Sequence, residues 1–279
     1  MSKCCALAFH QTFATLSDIG KSSVLQSVAI NNELEQCVNQ NNLRGKRTVG
    51  ILGQSDYQLL RINRPDAQVR EMVSAILWQE QARFSLPIDQ LFIDYLDCPS
   101  VMNGPIIKAK QLYVVAVAKR TLKERYQTLL NASLQPIKIT LPEFIYAQYV
   151  SKRYAAEPLV IWVNHFQDAS QVFAFYQREL VATLKLPKIE ATTMSEACMT
   201  ALNLFYLTEV KPFSASPLWL MNGAFSIDAS MLSQFSGRVQ WLKDEPNATS
   251  YFKALEHYNH STVSHAYYGM ACYDRIGNE

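Results

Sequence analysis

The side chains that could do chemistry in this chain are scattered rather than gathered. His257 and His260 stand three apart on a stretch with helical periodicity, which puts both imidazoles on one face, yet no thiol or carboxylate motif completes a metal set around them. The cysteines, at 4, 5, 37, 98, 198 and 272, form no CxxC pair, so packed reduced thiols are expected rather than a metal centre or a disulfide framework. Serine, histidine and aspartate are present, but no Gly-x-Ser-x-Gly turn presents a nucleophile. Asp94 and Asp97 are three apart on a strand, hence on opposite faces, and cannot form an acid–base pair. No catalytic residue and no metal ligand is therefore expected. A basic run, Lys108, Lys110, Lys119, Arg120, Lys123 and Arg125, reads as a solvated helix end rather than a binding patch. Seven first-half aromatics, Trp78, Phe84, Tyr95, Tyr113, Tyr146, Tyr149 and Tyr154, read mostly as core, with a minority available to line a groove.

The elements that carry these residues alternate between strands and helices. Cys4–Phe9, Thr12–Leu16 and Val24–Ile30 are short apolar runs that predict three strands, followed by a modest helix over Asn31–Asn42. Thr48–Leu52 and Tyr57–Ile62 predict strands framing a turn at Gly53–Asp56. Pro65 fixes φ and Asp66 can cap free N–H groups, so a helix should open there, with Val69, Met72, Val73, Ile76 and Leu77 as its buried stripe. Leu86-Pro87 ends it, and Leu91–Leu96 is the next strand. Gln111–Ala118 is a continuous apolar run, as in a strand buried on both faces. Two capping boxes, Thr121–Glu124 and Thr140–Glu143, predict helices on either side of a strand at Pro136–Ile139. The first of these helices should bury Leu122, Tyr126, Leu129 and Leu130, and the second should reach about Tyr154.

Ala155–Pro158 is the natural boundary between halves, and the second half repeats the pattern without repeating the sequence. Leu159–Val163, Val172–Tyr176 and Leu180–Leu186 predict strands. A third capping box, Thr193–Glu196, opens a helix, followed by a strand at Pro217–Met221, a short helix Asp228–Ser236 closed by Gly237, and a strand at Arg238–Leu242. Val263, Ala266, Tyr267, Met270 and Ala271 stripe a closing helix.

Composition sets the bounds. The chain has 279 residues and 31.7 kDa, enough for one large or two medium domains with a full core. Hydrophobic residues at 49% and charged ones at 18% mark a globular chain, not a disordered one. The net charge of +2 implies no bulk attraction to nucleic acid or anionic lipid. No apolar run approaches the roughly 20 residues that span a bilayer, and no signal peptide is visible, so a membrane role is expected to go through a partner.

The stretch Arg47–Cys98 carries a family resemblance. Its Ser55-Asp56-Tyr57, Pro65, Glu71, Ala75, Trp78, Pro87 and Asp94-Tyr95 resemble the MshI and PilM pilus-biogenesis proteins, MshI most closely. The resemblance implies an α/β, actin-like (ribonuclease H-like, duplicated) two-lobed fold related to that of FtsA. Residues 1–48 and 106–155 would form the first lobe (1A), 49–105 an inserted 1C-type subdomain, and 156–279 the second lobe (2A). Only about Lys211–Ser216 separates a second-half helix from the next strand, so the family's small 2B subdomain should be absent or reduced.

Actin-like ATPases hold phosphates in two strand-turn-strand hairpins that need Gly for close backbone approach and an acid for Mg²⁺. Here the corresponding turns, near Phe9–Thr12 and Val163–Ser170, contain no Gly, and only Asp168 is acidic. The adenosine-contacting turn would be Asn222, Gly223 and Ala224, a vestige of the family's Gly-Gly-x-Ala. No cofactor is therefore expected, and a non-enzymatic role is. The resemblance implies a cytoplasmic scaffold of type IV or MSHA-type pilus assembly, peripheral at the inner membrane. Its partners would be the cytoplasmic tail of an inner-membrane PilN-like protein, bound between the inserted unit and its host, and a pilus assembly ATPase. The alternatives are an active ATP-binding protein of the PilM/FtsA type, and a GspL-like cytoplasmic type II secretion protein, which would continue into a transmembrane helix beyond the position where this chain ends, Glu279.

Overall fold

The computed structural model describes residues 4–9, 13–18, 23–30, 32–98, 111–165, 169–187, 216–223 and 237–241. Its first sheet is built from β1 (Cys4–Phe9), β2 (Phe13–Asp18), β3 (Ser23–Ala29), β4 (Arg47–Ile51) and β8 (Gln135–Thr140), in the order β3-β2-β1-β4-β8. The first three strands run antiparallel, whereas β4 and β8 are added parallel to β1. The second sheet is β11 (Glu179–Pro187), β10 (Ala169–Tyr176), β9 (Leu159–His165), β12 (Leu218–Gly223) and β13 (Arg238–Trp241), in that spatial order. Its first three strands are again antiparallel and its last two again parallel to β9. The two halves thus share one topology, three strands folded back and forth and two crossovers on the far side of the first strand.

The third sheet is antiparallel throughout: β5 (Tyr57–Asn63), β7 (Gln111–Ala118) and β6 (Leu91–Asp97), with β7 in the centre. Helix α2 (Met72–Glu80) covers one face, where Ile62, Met72, Ile76, Ile93, Leu112 and Val114 pack together. Two expectations are corrected here. Val49–Leu52 was assigned to the inserted unit and Gln111–Ala118 to the first lobe, yet β4 is in the first sheet and β7 is the middle of the inserted one. A middle strand is covered by a neighbour on each side and packed on both faces, so its apolar run looks the same in either sheet.

Helix α4 (Pro142–Arg153) joins the two large sheets. Along β1 the side chains alternate: Cys5, Leu7 and Phe9 pack with α1 (Asn32–Gln40) on one face, while Ala6 and Ala8 leave room for α4 on the other. From α4, Ile145, Tyr146, Tyr149 and Val150 reach across to Val160, Trp162, Phe173 and Leu220 of the second sheet. Tyr146 lies 4.4 Å from the Trp162 ring and 5.1 Å from the Phe173 ring, centre to centre. Burying rings of this size stabilises the joint by about 2–3 kcal/mol each.

Helix starts differ from the sequence reading. α3 (Lys119–Asn131) begins two residues before Thr121, and neither it nor α4 has a side-chain cap, so the Thr121 and Thr140 boxes do not form. Helix α2 begins at Met72 after a single 3₁₀ turn, Val69–Glu71, rather than at Pro65-Asp66, and Val69 and Val73 of the expected stripe face solvent. Gly237 has φ of +110°, and a Cβ there would meet the Pro217 carbonyl oxygen at 2.1 Å. The Thr193 box, the helices at Asp228–Ser236 and 263–271, and nearly all of Lys211–Ser216 lie outside the described residues. Among the described residues no helix is long and apolar enough to cross a membrane, and no cluster of His, Cys, Asp and Glu could hold a metal ion. Cys5, Cys37 and Cys98 are buried thiols, and burial pushes that of Cys37 up.

Candidate functional site

The turn between β4 and β5, where the chain leaves the first sheet for the inserted one, is held by two buried polar pairs. Gly53 N–H donates to Asp56 Oδ2 at 3.1 Å, and Arg125 of α3 grips both Asp56 oxygens, Nε to Oδ2 at 3.0 Å and Nη2 to Oδ1 at 2.9 Å. The pair is almost fully sheltered, with the guanidinium 5.1 Å from the centre of the Phe9 ring. One residue on, the Tyr57 hydroxyl donates to the Glu143 carboxylate, 2.8 and 2.7 Å from its two oxygens. Glu143 occupies the first turn of α4, where backbone N–H groups favour a negative charge, yet burial dominates and pushes its pKa up to about 7. Burial, and then the Glu143 charge, hold the Tyr57 hydroxyl well above its ordinary range. The glutamate of the expected Thr140 box is therefore used across the domain seam instead of on its own helix.

Beside this hinge a groove of about 740 Å³ separates the inserted sheet from the first lobe. Its inserted wall is Phe92 and Asp94 of β6 with Val115 and Val117 of β7. Its host wall is Leu122, Lys123 and Tyr126 of α3 and Ile137, Lys138 and Ile139 of β8, and Leu52, Leu141 and Phe144 close the bottom. Among the described residues both β6 and β8 are outer strands of their sheets. Phe92, Tyr126 and Ile137 are 43–47% exposed, large apolar side chains left open to solvent. This is a largely apolar slot whose lining also holds one carboxylate and three lysines; no acid, base and nucleophile converge in it among the described residues.

The residues singled out from the sequence are distributed otherwise than expected. None of the seven aromatics lines this groove: Phe84 and Tyr113 are buried, Tyr146, Tyr149 and Tyr154 are in the interlobe core, Tyr95 packs on the inserted sheet's α2 face, and Trp78 is 78% exposed on α2. Phe92, Tyr126 and Phe144 are the groove's aromatics. Tyr126 escaped notice because Leu122, Tyr126 and Leu130 have the spacing of a core stripe; only Leu129 of α3 is buried, while Leu122 and Tyr126 line the groove and Leu130 is exposed. Asp94 and Asp97 are apart as expected, Asp94 in the groove and Asp97 paired with Arg64.

Of the expected nucleotide turn, Asn222 and Gly223 end β12 beside Asn164 and His165 of β9. The Asn222 amide donates to Asn164 Oδ1 at 2.9 Å, Trp162 Nε1 donates to the same oxygen at 2.8 Å, and Asn164 Nδ2 donates to the Tyr146 hydroxyl at 3.2 Å. Asn222 is thereby tied into a buried network with α4. Ala224, Asp168, the tips of both hairpins, His257 and His260 lie outside the described residues.

The duplicated topology has solved counterparts. A structure described as the PilM-PilN type IV pilus biogenesis complex superposes with a TM-score of 0.70 at 13% identity, covering 99% of this chain and 98% of that one. The cytoplasmic domain of EpsL, an inner-membrane component of the type II secretion system of Vibrio cholerae, superposes with a TM-score of 0.55 at 10% identity over 97% and 94%. A Bacteroides thetaiotaomicron protein described as having an actin-like ATPase fold and unknown function gives 0.51 at 8% identity over 87% and 91%. The chain has the actin-like fold. No family model matches it, and no curated protein sequence does. In actin-like terms the two five-stranded sheets are the cores of the two lobes, α4 lies between them, and the three-stranded sheet is an addition to the first lobe.

Proposed function

We propose that this actin-like protein is a non-catalytic, cytoplasmic scaffold of type IV pilus assembly, of the MshI or PilM kind, that holds the cytoplasmic tail of an inner-membrane PilN-like protein. The groove between β6 and β8 carries this reading. An extended peptide needs an apolar trough for alternate side chains, and the groove supplies one, walled by the face of the three-stranded sheet. The likeness to a structure described as a PilM-PilN complex, over nearly the full length of both chains, supports the same choice of partner. Membrane association would follow from the tail, and an assembly ATPase would be a further partner. We assign the inserted subdomain to about 53–118, from the hinge turn through β7, in place of 49–105, because that span contains the whole three-stranded sheet. The likeness to the EpsL cytoplasmic domain favours a second reading, the corresponding part of a type II secretion assembly.

The test is a titration of the cytoplasmic tail peptide of a PilN-like inner-membrane protein. Phe92→Ala should weaken binding by roughly thirtyfold, the effect of truncating one buried anchor worth about 2 kcal/mol. Its melting temperature should hardly change, since Phe92 is half-exposed in the free protein. Equal binding by both forms would place the tail elsewhere. If instead only a type II secretion partner's tail binds, the second reading stands.

A further inference from the structure

The basic run on α3 divides into cations with and without partners. Arg125 is consumed by Asp56, and Arg120 pairs with Glu124 one turn on, at 2.6 Å. Lys119 Nζ donates to the Asp89 carbonyl oxygen at 2.7 Å. Lys123 has no ion-pair partner among the described residues, and neither does Lys138 of β8; both are exposed and both line the groove. Lys123 and Lys138 thus bring two ammonium groups to the host wall, while that of Lys119 is held at Asp89, just ahead of β6. The one carboxylate of the lining, Asp94, is on the opposite wall, where its Oδ1 accepts the Tyr95 N–H at 2.8 Å. The groove is therefore polarised across its width, positive on the host side and negative on the inserted side.

We infer that the segment this groove accepts is a peptide with an acidic side chain set between apolar anchors, the acid facing Lys123 and Lys138. The inference rests on the peptide-groove reading above and adds the chemistry of the occupant. A recessed trough does not meet a flat bilayer, and apolar walls beside the lysines demand side chains that a free phosphate lacks.

The experiment selects random peptides of about twelve residues, displayed on phage, against the immobilised full chain at low salt. Enriched peptides should share an Asp or Glu flanked by apolar residues. They should bind the Lys123→Glu/Lys138→Glu variant roughly tenfold more weakly and lose that difference in high salt. Exchanging the peptide's acid for lysine should restore binding to the variant, which a merely structural effect would not do. Phe92→Ala should weaken the same peptides. Enriched peptides that lack an acid, or bind both forms equally, overturn the charge assignment and leave the groove reading intact. Acid-bearing peptides indifferent to Phe92→Ala bind elsewhere and overturn it too. Failure to enrich any peptide overturns both readings. Binding of phosphatidylglycerol vesicles by the wild type but not the variant, again with no peptide enriched, would give the lysines to a membrane surface instead.

Discussion

Glu143 is the residue at which local and tertiary demands part company. Its spacing from Thr140 is that of a capping box, but its carboxylate is spent on the Tyr57 hydroxyl, 86 positions away in sequence. The pKa of about 7 in the folded protein lies above the ordinary 4.5, so folding favours the protonated form. Between those values the unfolded chain has released a proton that the folded one retains. Glu143's contribution is thus fully present below about pH 4.5, falls as pH rises towards 7, and is flat beyond. At about 1.4 kcal/mol per unit the loss is up to roughly 3 kcal/mol. Urea titrations across this range should show the decline in the wild type and a shallower one in Glu143→Gln, whose amide still accepts from Tyr57. Parallel curves would refute the assignment. Asp56 and Arg125 make the opposite case, a sheltered pair that is costly to break from one side. Asp56→Asn leaves a buried guanidinium without its counter-charge and should lower unfolding free energy by about 3 kcal/mol, whereas removing both charges together should cost less than the sum of the single changes.

Among the elements, strands were far more legible than helix starts. Cys4–Phe9 and Gln111–Ala118 come out of the sequence with their observed ends, because a run of buried apolar residues bounded by polar ones leaves little choice. Helix starts were misjudged wherever a cap motif competed with packing. α3 begins at Lys119, directly off β7, since the strand's end and not a side-chain cap sets its position. Thr121→Ala should therefore change stability by less than about 0.5 kcal/mol, where a true cap would cost around 1. A loss of that larger size in chemical denaturation would reinstate the box. The hinge turn behaves otherwise. A Cβ on Gly53 would lie 2.9 Å from the Phe9 carbonyl oxygen, a main-chain atom that cannot swing away, so Gly53→Ala should destabilise by roughly 1–3 kcal/mol. The groove was invisible for a related reason. Tyr126 and Leu130 have the period of a buried stripe, and period alone does not tell a face covered by the protein's own sheet from one left open for another chain.

At the scale of the molecule, the duplication appears in the strand order and not in the residues, so the sequence offered only the string of elements and a family resemblance to arrange them. What the second half retains and lacks bears on nucleotide. A phosphate approaches a strand-turn-strand hairpin only if the backbone can come close, which Gly permits and larger residues hinder. Neither Phe9–Thr12 nor Val163–Ser170 contains one. At the end of β12 the Asn222 amide is already engaged with Asn164, and through it with Trp162 and Tyr146 of the interlobe core. A nucleotide drawing on Asn222 would have to break a buried bond and leave Asn164 Oδ1 with Trp162 as its one remaining donor, a cost of about 1 kcal/mol before any gain. Calorimetry of the full chain with millimolar MgATP should accordingly give no saturable heat. Asn222→Ala should lower stability while leaving that result unchanged, because its amide serves the joint between the lobes. A sub-micromolar dissociation constant for MgATP would overturn the scaffold reading in favour of an ATP-dependent one. Binding abolished by Asn222→Ala would further show that the network opens to admit the nucleotide.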